Sequence, residues 1–330
     1  MTTDVVPTSG EEDPDEEAGF EGIPRGLGPG DTFTMTFNIP KAPLPPGYDG
    51  RIVFHYTSHQ GALGIVSTHS LWATSIRSLN DGSESLRGRE VIRDCWEKRK
   101  RHYPEPFRSS IAAMLDRAEA SLDEARVYVL CASERADDLG QFRNYGDVAL
   151  ALRTDVALNL RSDPIPFPHT LYWVSTGYGW RKVIYAKRAQ EAAARALIDG
   201  FARELERHGR TKDPGAPNDI ISITMCWWYA SLVPLIKHSA FAQEREVRLV
   251  RIATGGFTEP SHRVSCLGIV PYVPLEHVAE KDDDHRLPLI GAHLGPIHHP
   301  EPAELGLRSL LNTHGYTDAT VTRTATPFRG

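Results

Sequence analysis

The sequence of 330 residues is short of cysteine, of long apolar runs and, over its first stretch, of positive charge. Its four cysteines stand at 95, 131, 226 and 266, and none forms a Cys-x-x-Cys pair. That spacing argues against a zinc ribbon and against a dithiol redox centre. Sparse, unpatterned cysteine suits a reducing compartment, so the expected location is cytoplasmic and the expected role of each thiol is a small core residue. The most apolar run, Ile220 to Ile236, has 17 residues including Pro234. A membrane span needs roughly 20 apolar residues, so the run reads as a buried helix and no membrane partner is expected. The start of the chain has no basic segment followed by an apolar one, so no signal peptide is expected.

Familiar chemical signatures are missing too. There is no Gly-x-Gly-x-x-Gly after a strand, no phosphate loop ending in Gly-Lys-Ser/Thr, no His-Glu-x-x-His and no Gly-x-Ser-x-Gly elbow. His55 and His59 stand four apart, but they straddle a strand-to-helix boundary with no acid between them. No metal is expected, although a metal-dependent hydrolase using His55 and His59 is a distant alternative.

The net charge of −6 is unevenly spread. Residues 1–24 carry eight acids and no Lys or Arg, which leaves about +2 for residues 25–330. The acidic balance therefore belongs to a tail, and the charge of the body neither favours nor excludes nucleic acid. Pro and Gly recur through Pro46. Residues 1–50 are accordingly expected to be a disordered tail and linker that cannot bury enough apolar surface to offset its chain entropy. The exception is a short alternating strand around Thr32–Phe37. Residues 51–330 are expected to form a single domain.

Within that body the alternation predicts strands at Ile52–Tyr56, Leu71–Ser75, Arg126–Ser133, Asp147–Arg153, Trp180–Ala186, Glu246–Ile252, Val264–Val270 and Ala319–Thr324. Helices are expected after Ser58, from Ser83 or Glu84 to Arg101, and over Phe107–Leu122, Ala189–His208 and Glu304–His314. Another runs from an Asp219 cap to Lys237. Strands and helices interleave without a regular βαβ period, which favours an α+β fold.

Four segments can carry chemistry. Phe54-His55-Tyr56-Thr57 places a His beside an aromatic and a hydroxyl, which suits a sugar and a flat ring. A satisfied core histidine at a strand end has the same spacing. Gln243-Glu244-Arg245-Glu246-Val247-Arg248 would, in a strand, put Glu244 and Glu246 on one face. Repulsion and burial would then part their pKa values, leaving one ionised to stabilise a cation. A solvated edge strand with a charge ladder is the plainer alternative. Leu71-Trp72-Ala73-Thr74-Ser75 followed by Leu79-Asn80-Asp81-Gly82-Ser83-Glu84 offers Trp72, Ser75 and Asn80, which also fit core, turn and cap positions. Cys131-Ala132-Ser133-Glu134, then Phe142-Arg143-Asn144-Tyr145-Gly146, offers the Tyr145 ring to a ligand or to the core.

The order of these pieces is more specific than any one of them. Together with Phe241 to Arg248 and a closing Pro327-Phe328-Arg329, the chain over residues 51–329 resembles a bacterial family, domain-of-unknown-function family 2971. Gly82 replaces a usual Pro and keeps the turn, and Phe142 replaces a common Trp and keeps an aromatic. The opening of that family is in turn similar to ADP-ribosyltransferases. The resemblance implies a split mixed β-sheet with flanking helices that binds NAD as co-substrate in its cleft.

On that resemblance His55 is the contact to the adenosine ribose and Glu246 the catalytic carboxylate. Tyr56, Trp72 and Tyr145 are candidates to pack the nicotinamide, and Glu244 orients or deprotonates the nucleophile. Thr57, Ser75 and Asn80 belong to the NAD-binding set, and Arg248 holds a diphosphate oxygen or pairs Glu246. The implied reaction cleaves the nicotinamide–ribose bond through an oxocarbenium-like state. The acceptor is left open between nucleic acid or nucleotide, protein and small molecule. Water as acceptor gives an NAD glycohydrolase effector, and a catalytically silent nucleotide-binding module is the rival from another class. The run Lys98-Arg99-Lys100-Arg101-His102 would suit a phosphate backbone, or only the solvated end of a helix.

Overall fold

In a computed structural model the described residues are 42–79, 84–124, 126–160, 179–207, 220–253, 259–265, 267–277 and 285–325. The expected strand at Thr32–Phe37, Asn80, the Asp219 cap, Cys266 and Pro327–Arg329 lie outside them. The described residues belong to one compact unit. It is an α+β fold: one mixed sheet of eleven strands, flanked by helices.

Alternation makes the strands and caps make the helices. β1 (Ile52–Thr57) leads to α1 (His59–Thr68), whose N-cap Ser58 accepts the Gly61 N–H at 3.1 Å. Such a cap contributes about 1 kcal/mol. β2 (Leu71–Ser75) precedes α2 (Glu84–Arg99) and α3 (Phe107–Glu124), and β3 (Arg126–Ser133) follows. A short helix absent from the sequence reading, α4 (Leu139–Tyr145), is capped by Asp138, whose carboxylate takes the N–H groups of Gly140 and Gln141. β4 (Val148–Arg153), β5 (Leu158–Leu160) and β6 (Arg181–Lys182) precede the two long helices α5 (Lys187–Arg207) and α6 (Ile220–Leu232). β7 (Glu246–Ala253), β8 (Ser261–Ser265), β9 (Gly268–His277), β10 (Leu289–Leu294), α7 (Pro300–Thr313) and β11 (Thr320–Arg323) complete the order.

Four expectations need correcting. The strand expected over Trp180–Ala186 is only the two-residue β6, Arg181–Lys182, with a single bridge further on at Ile184. Val264–Val270 is not one strand: the chain reverses before Gly268 at φ 97°, so Val264 of β8 faces Ile269 of β9. The long helix after residue 219 ends at Leu232, and Pro234 sits in a 3₁₀ turn, Val233–Leu235. The linker expected to run to residue 50 packs from Ala42 onward, with Ala42 buried and the Tyr48 N–H donating to the Trp180 carbonyl at 2.7 Å.

The main path of the sheet runs β11-β10-β4-β1-β3-β2-β9-β5, with β7 on β3, β6 on β7 and β8 on β9. Every pairing is antiparallel except β10–β11. A strand has two edges, and β7 takes one edge of β3 along all eight positions, from Arg126↔Ala253 to Ser133↔Glu246. β1 and β2 must therefore share the other edge. β1 pairs there at Phe54↔Ser133, and β2 at Thr74↔Val129 and Ser75↔Tyr128. Carried on, those registers would bring Tyr56 and Trp72 to the same place opposite Cys131. Two strands cannot occupy one edge, so β1 and β2 part around Leu130–Ala132, and the sheet opens into a seam.

Both faces of the β3–β7 ribbon are covered. Val127 and Val250 pack with residues of α2, α3, α5 and α6, whereas Tyr128, Leu130, Ala132, Val247 and Leu249 join the core under α7 and the outer strands. Two covered faces explain the run of buried apolar residues in both strands, and leave Glu246, Arg248 and Arg251 of β7 buried with them. At α4 the chain turns back at Gly146, with φ 117°. A Cβ there would stand 2.6 Å from the Ser58 backbone. Gly146→Ala should therefore destabilise the protein by about 2 kcal/mol or more, read as a lower urea midpoint; an unchanged midpoint would contradict the packing described.

Candidate functional site

The sequence reading put Glu244 and Glu246 two apart on one strand face. They are not on one strand. Glu244 ends a 3₁₀ turn, Ser239–Glu244, and Arg245 takes a left-handed conformation at φ 45° before β7 begins at Glu246. The plainer alternative, a solvated edge ladder, fails as well. Glu246, Arg248 and Arg251 are all buried, and β7 lies between β3 and β6.

What joins the two carboxylates is Lys237, just beyond the apolar run. Its ammonium donates to Glu244 Oε2 at 2.6 Å and to Glu246 Oε2 at 3.1 Å. Arg248 then clamps Glu246 from the same strand face, Nε to Oε1 at 2.9 Å and an NH2 nitrogen to Oε2 at 2.8 Å. The other end of the Arg248 guanidinium donates to the Pro234 carbonyl at 2.5 Å, satisfying a carbonyl freed where the helix gives way. Two acids and two bases thus form a cluster of zero net charge. Burial works against ionisation of Glu246. The charges of Arg248 and Lys237, with hydrogen bonds from Arg248 and the Cys131 thiol, outweigh it and bring the carboxyl down to about 2. Expected repulsion between two close acids is thereby replaced by bridging.

His55 stands at the seam but does not share a face with this cluster. By alternation it belongs to the opposite face from Phe54, Ser133 and Glu246, so no shared face joins it to the carboxylate. Its Nδ1 instead lies 2.8 Å from the carbonyl of Cys131, the residue whose thiol bonds Glu246. A carbonyl oxygen only accepts, so Nδ1 carries the hydrogen and Nε2 is the acceptor of the neutral ring. Burial lowers the His55 pKa and Arg263 adds to this, against the bond to Cys131, so the ring is neutral near pH 7. Arg263 donates to Thr74 Oγ1 at 3.0 Å from the β2 side of the opening.

The remaining candidates divide. Tyr145 ends α4 and is 37 % exposed as a whole residue. Burial of its hydroxyl end, and then the charges of Glu244, Cys131 and Glu246, raise its phenol. Arg248 pairs Glu246, the second of the two roles expected for it. Tyr56 is buried and committed elsewhere: its hydroxyl donates to the Arg135 carbonyl at 2.8 Å, accepts the Asp138 N–H at 3.1 Å, and its ring meets Phe142 edge-on. Trp72 lies on β2 against Tyr272, with ring centroids 4.7 Å apart. Thr57 ends β1 opposite Val148. Ser75 is not brought to the cluster. It stands in the row of Tyr128 and Arg251, five positions from Glu246, or about 16 Å along β7, and it caps a 3₁₀ turn at Arg77.

Three participants escaped the sequence reading. Lys237 is one, and its only local signal is a charge directly after an apolar run. Tyr185 accepts the Glu246 N–H at 3.0 Å. Gln190 donates to the carbonyls of Lys237 and Ile184, both at 2.8 Å, and so fixes the backbone that carries the ammonium. Cys131, expected as a small core residue, lies between His55 and Glu246.

Among the described residues no group of three or more His, Cys, Asp or Glu is placed to hold a metal ion, and no helix is long and apolar enough to cross a membrane. The basic run is drawn into local ion pairs: Lys98 with Glu191 at 3.8 Å, Arg99 with Asp199 at 3.6 Å and Lys100 with Glu97 at 2.6 Å. The chain matches no protein-family model, no curated protein and no solved structure.

The depressed Glu246 value fixes a sign for stability against pH. Its folded value lies below its unfolded one, so the contribution is complete above the ordinary carboxylate range. It is lost as pH falls from about 4.5 toward about 2. The stability gap between wild type and Glu246→Gln, measured by urea unfolding, should shrink across that window; a gap independent of pH would show that Glu246 is not held ionised.

Proposed function

We propose that this protein is an NAD-cleaving enzyme of the ADP-ribosyltransferase type. The observation that carries the reading is a buried carboxylate kept ionised, Glu246, at the start of β7 and close to Tyr145. Cleavage of the nicotinamide–ribose bond leaves an oxocarbenium-like carbon, and a fixed negative charge is what such a state needs. Glu246 accepts from the hydroxyl of the nicotinamide ribose; His55, whose side chain belongs to the opposite face of the sheet, is left out of the ribose-binding set. Tyr145, beside Glu244 and Glu246, packs the nicotinamide. The electron pair of the broken bond leaves with nicotinamide. A lone pair of the acceptor closes on the ribose carbon, and its proton passes to Glu244. The acceptor is a nucleic acid or nucleotide, a protein, a small molecule or, for a glycohydrolase, water.

One observation favours a second reading. A carboxylate has about four acceptor sites, and Arg248, Lys237 and Cys131 already take up much of Glu246. A silent module that binds a nucleotide without turning it over would tolerate such a closed carboxylate.

Incubation of the full chain with NAD separates the two, with released nicotinamide as the readout. Turnover is expected, and Glu246→Gln should lower its rate by about 10²–10³-fold while remaining folded. Turnover by Glu246→Gln at the wild-type rate would overturn the assignment, and binding without release would favour the silent module.

A further inference from the structure

We infer that Lys237 is the positioning residue of this centre: its buried ammonium ties Glu244 to Glu246, so that one carboxylate meets the cation and the other meets the nucleophile. The inference rests on the reading of Glu246 as the carboxylate that serves the broken bond. The geometry behind it is specific. Lys237 is 3 % exposed and reaches two acids from different elements, Glu244 at the end of a 3₁₀ turn and Glu246 at the start of β7. Arg245, between them, adopts a left-handed backbone, so strand alternation does not hold the acids together.

The lysine is itself held on several sides. Its N–H donates to the Ile184 carbonyl at 3.3 Å, its carbonyl accepts from Gln190, and its ammonium lies 4.8 Å from the centre of the Phe241 ring. A flexible side chain so fixed acts as a spacer of defined length. The Ser133 hydroxyl donates to the Glu244 carbonyl at 2.8 Å and anchors the same turn to β3.

Charge balance gives Lys237 a second effect. The groups placed with it among the described residues are Glu244 from the turn, Glu246 and Arg248 from β7, Tyr145 from α4 and Tyr185 from the segment before α5. Removing Lys237 takes one positive charge from beside Glu246, so Glu246 takes up a proton at higher pH.

The test compares wild type with Lys237→Arg and Lys237→Met as full chains. Nicotinamide release is measured against pH with kcat and KM separated, and Glu246 is titrated by carboxyl-carbon NMR. Lys237→Met should lose at least tenfold in kcat with KM changed less than about threefold, its acid limb and its Glu246 midpoint both moving up. Lys237→Arg should restore much of each. A folded Lys237→Met protein with wild-type kcat and an unmoved Glu246 midpoint would overturn the inference. Should Lys237→Met fail to fold, Lys237→Gln, which can still hydrogen-bond both carboxylates but carries no charge, is judged by the same midpoint, an unmoved value again overturning it. If wild type releases no nicotinamide, the functional reading falls, and the NMR midpoint alone still decides whether Lys237 sets the state of Glu246.

Discussion

Burying Glu246 without neutralising it is the constraint on which the rest of the site depends. An isolated carboxylate in that position would protonate rather than pay the loss of its hydration. Two cations prevent this, and each must come from a fixed place. Arg248 arrives by strand alternation, two residues along β7. Lys237 arrives because the apolar helix stops and a proline turn brings the next residues over the strand. Removing one member of a buried pair typically costs about 3–5 kcal/mol, so the cluster is an all-or-none feature. The structure around it is arranged accordingly: Tyr185 takes the Glu246 N–H, Gln190 the Lys237 carbonyl, and Pro234 offers its carbonyl to Arg248.

The second requirement is the seam. β7 fills one whole edge of β3, which forces β1 and β2 to compete for the other. Their parting exposes sheet-plane backbone that a continuous ladder would have paired. His55 takes the Cys131 carbonyl there and is thereby fixed in one tautomer. Cys131 joins the two halves, since its carbonyl meets His55 and its thiol meets Glu246. The histidine and the carboxylate belong to opposite faces of the sheet and are linked only through Cys131. Such an arrangement offers an acceptor nitrogen on one side and a negative charge on the other.

Local pattern was enough for elements whose partners are close in sequence. Leu71–Ser75 and Arg126–Ser133 are strands with the boundaries that their alternation implies, and Ser58 caps α1 as a serine before an apolar run should. The β8–β9 hairpin was hidden because Val264 and Ile269 flank the turn with apolar residues on both sides, and only the positive φ of Gly268 reveals the reversal. Glu246 and Arg248 were legible as a pair. Glu244 was placed near Glu246 for the wrong reason, since a left-handed Arg245 breaks the strand between them. Lys237 was not legible at all: a lysine after an apolar helix is ordinarily a solvated end, and its burial depends on acids that fold over it later in the chain. Tyr56 illustrates the reverse case, an aromatic in a suggestive motif whose ring and hydroxyl are committed to Phe142 and the loop before α4.

The most direct measurement is a crystal structure of the full chain with NAD or a non-cleavable analogue. The account predicts the ligand beside the seam on the Glu246 face of the sheet, with the nicotinamide ribose within hydrogen-bond reach of Glu246 and the nicotinamide against Tyr145. A ligand bound away from the seam, with Glu246 still closed behind Arg248 and Lys237, would contradict it.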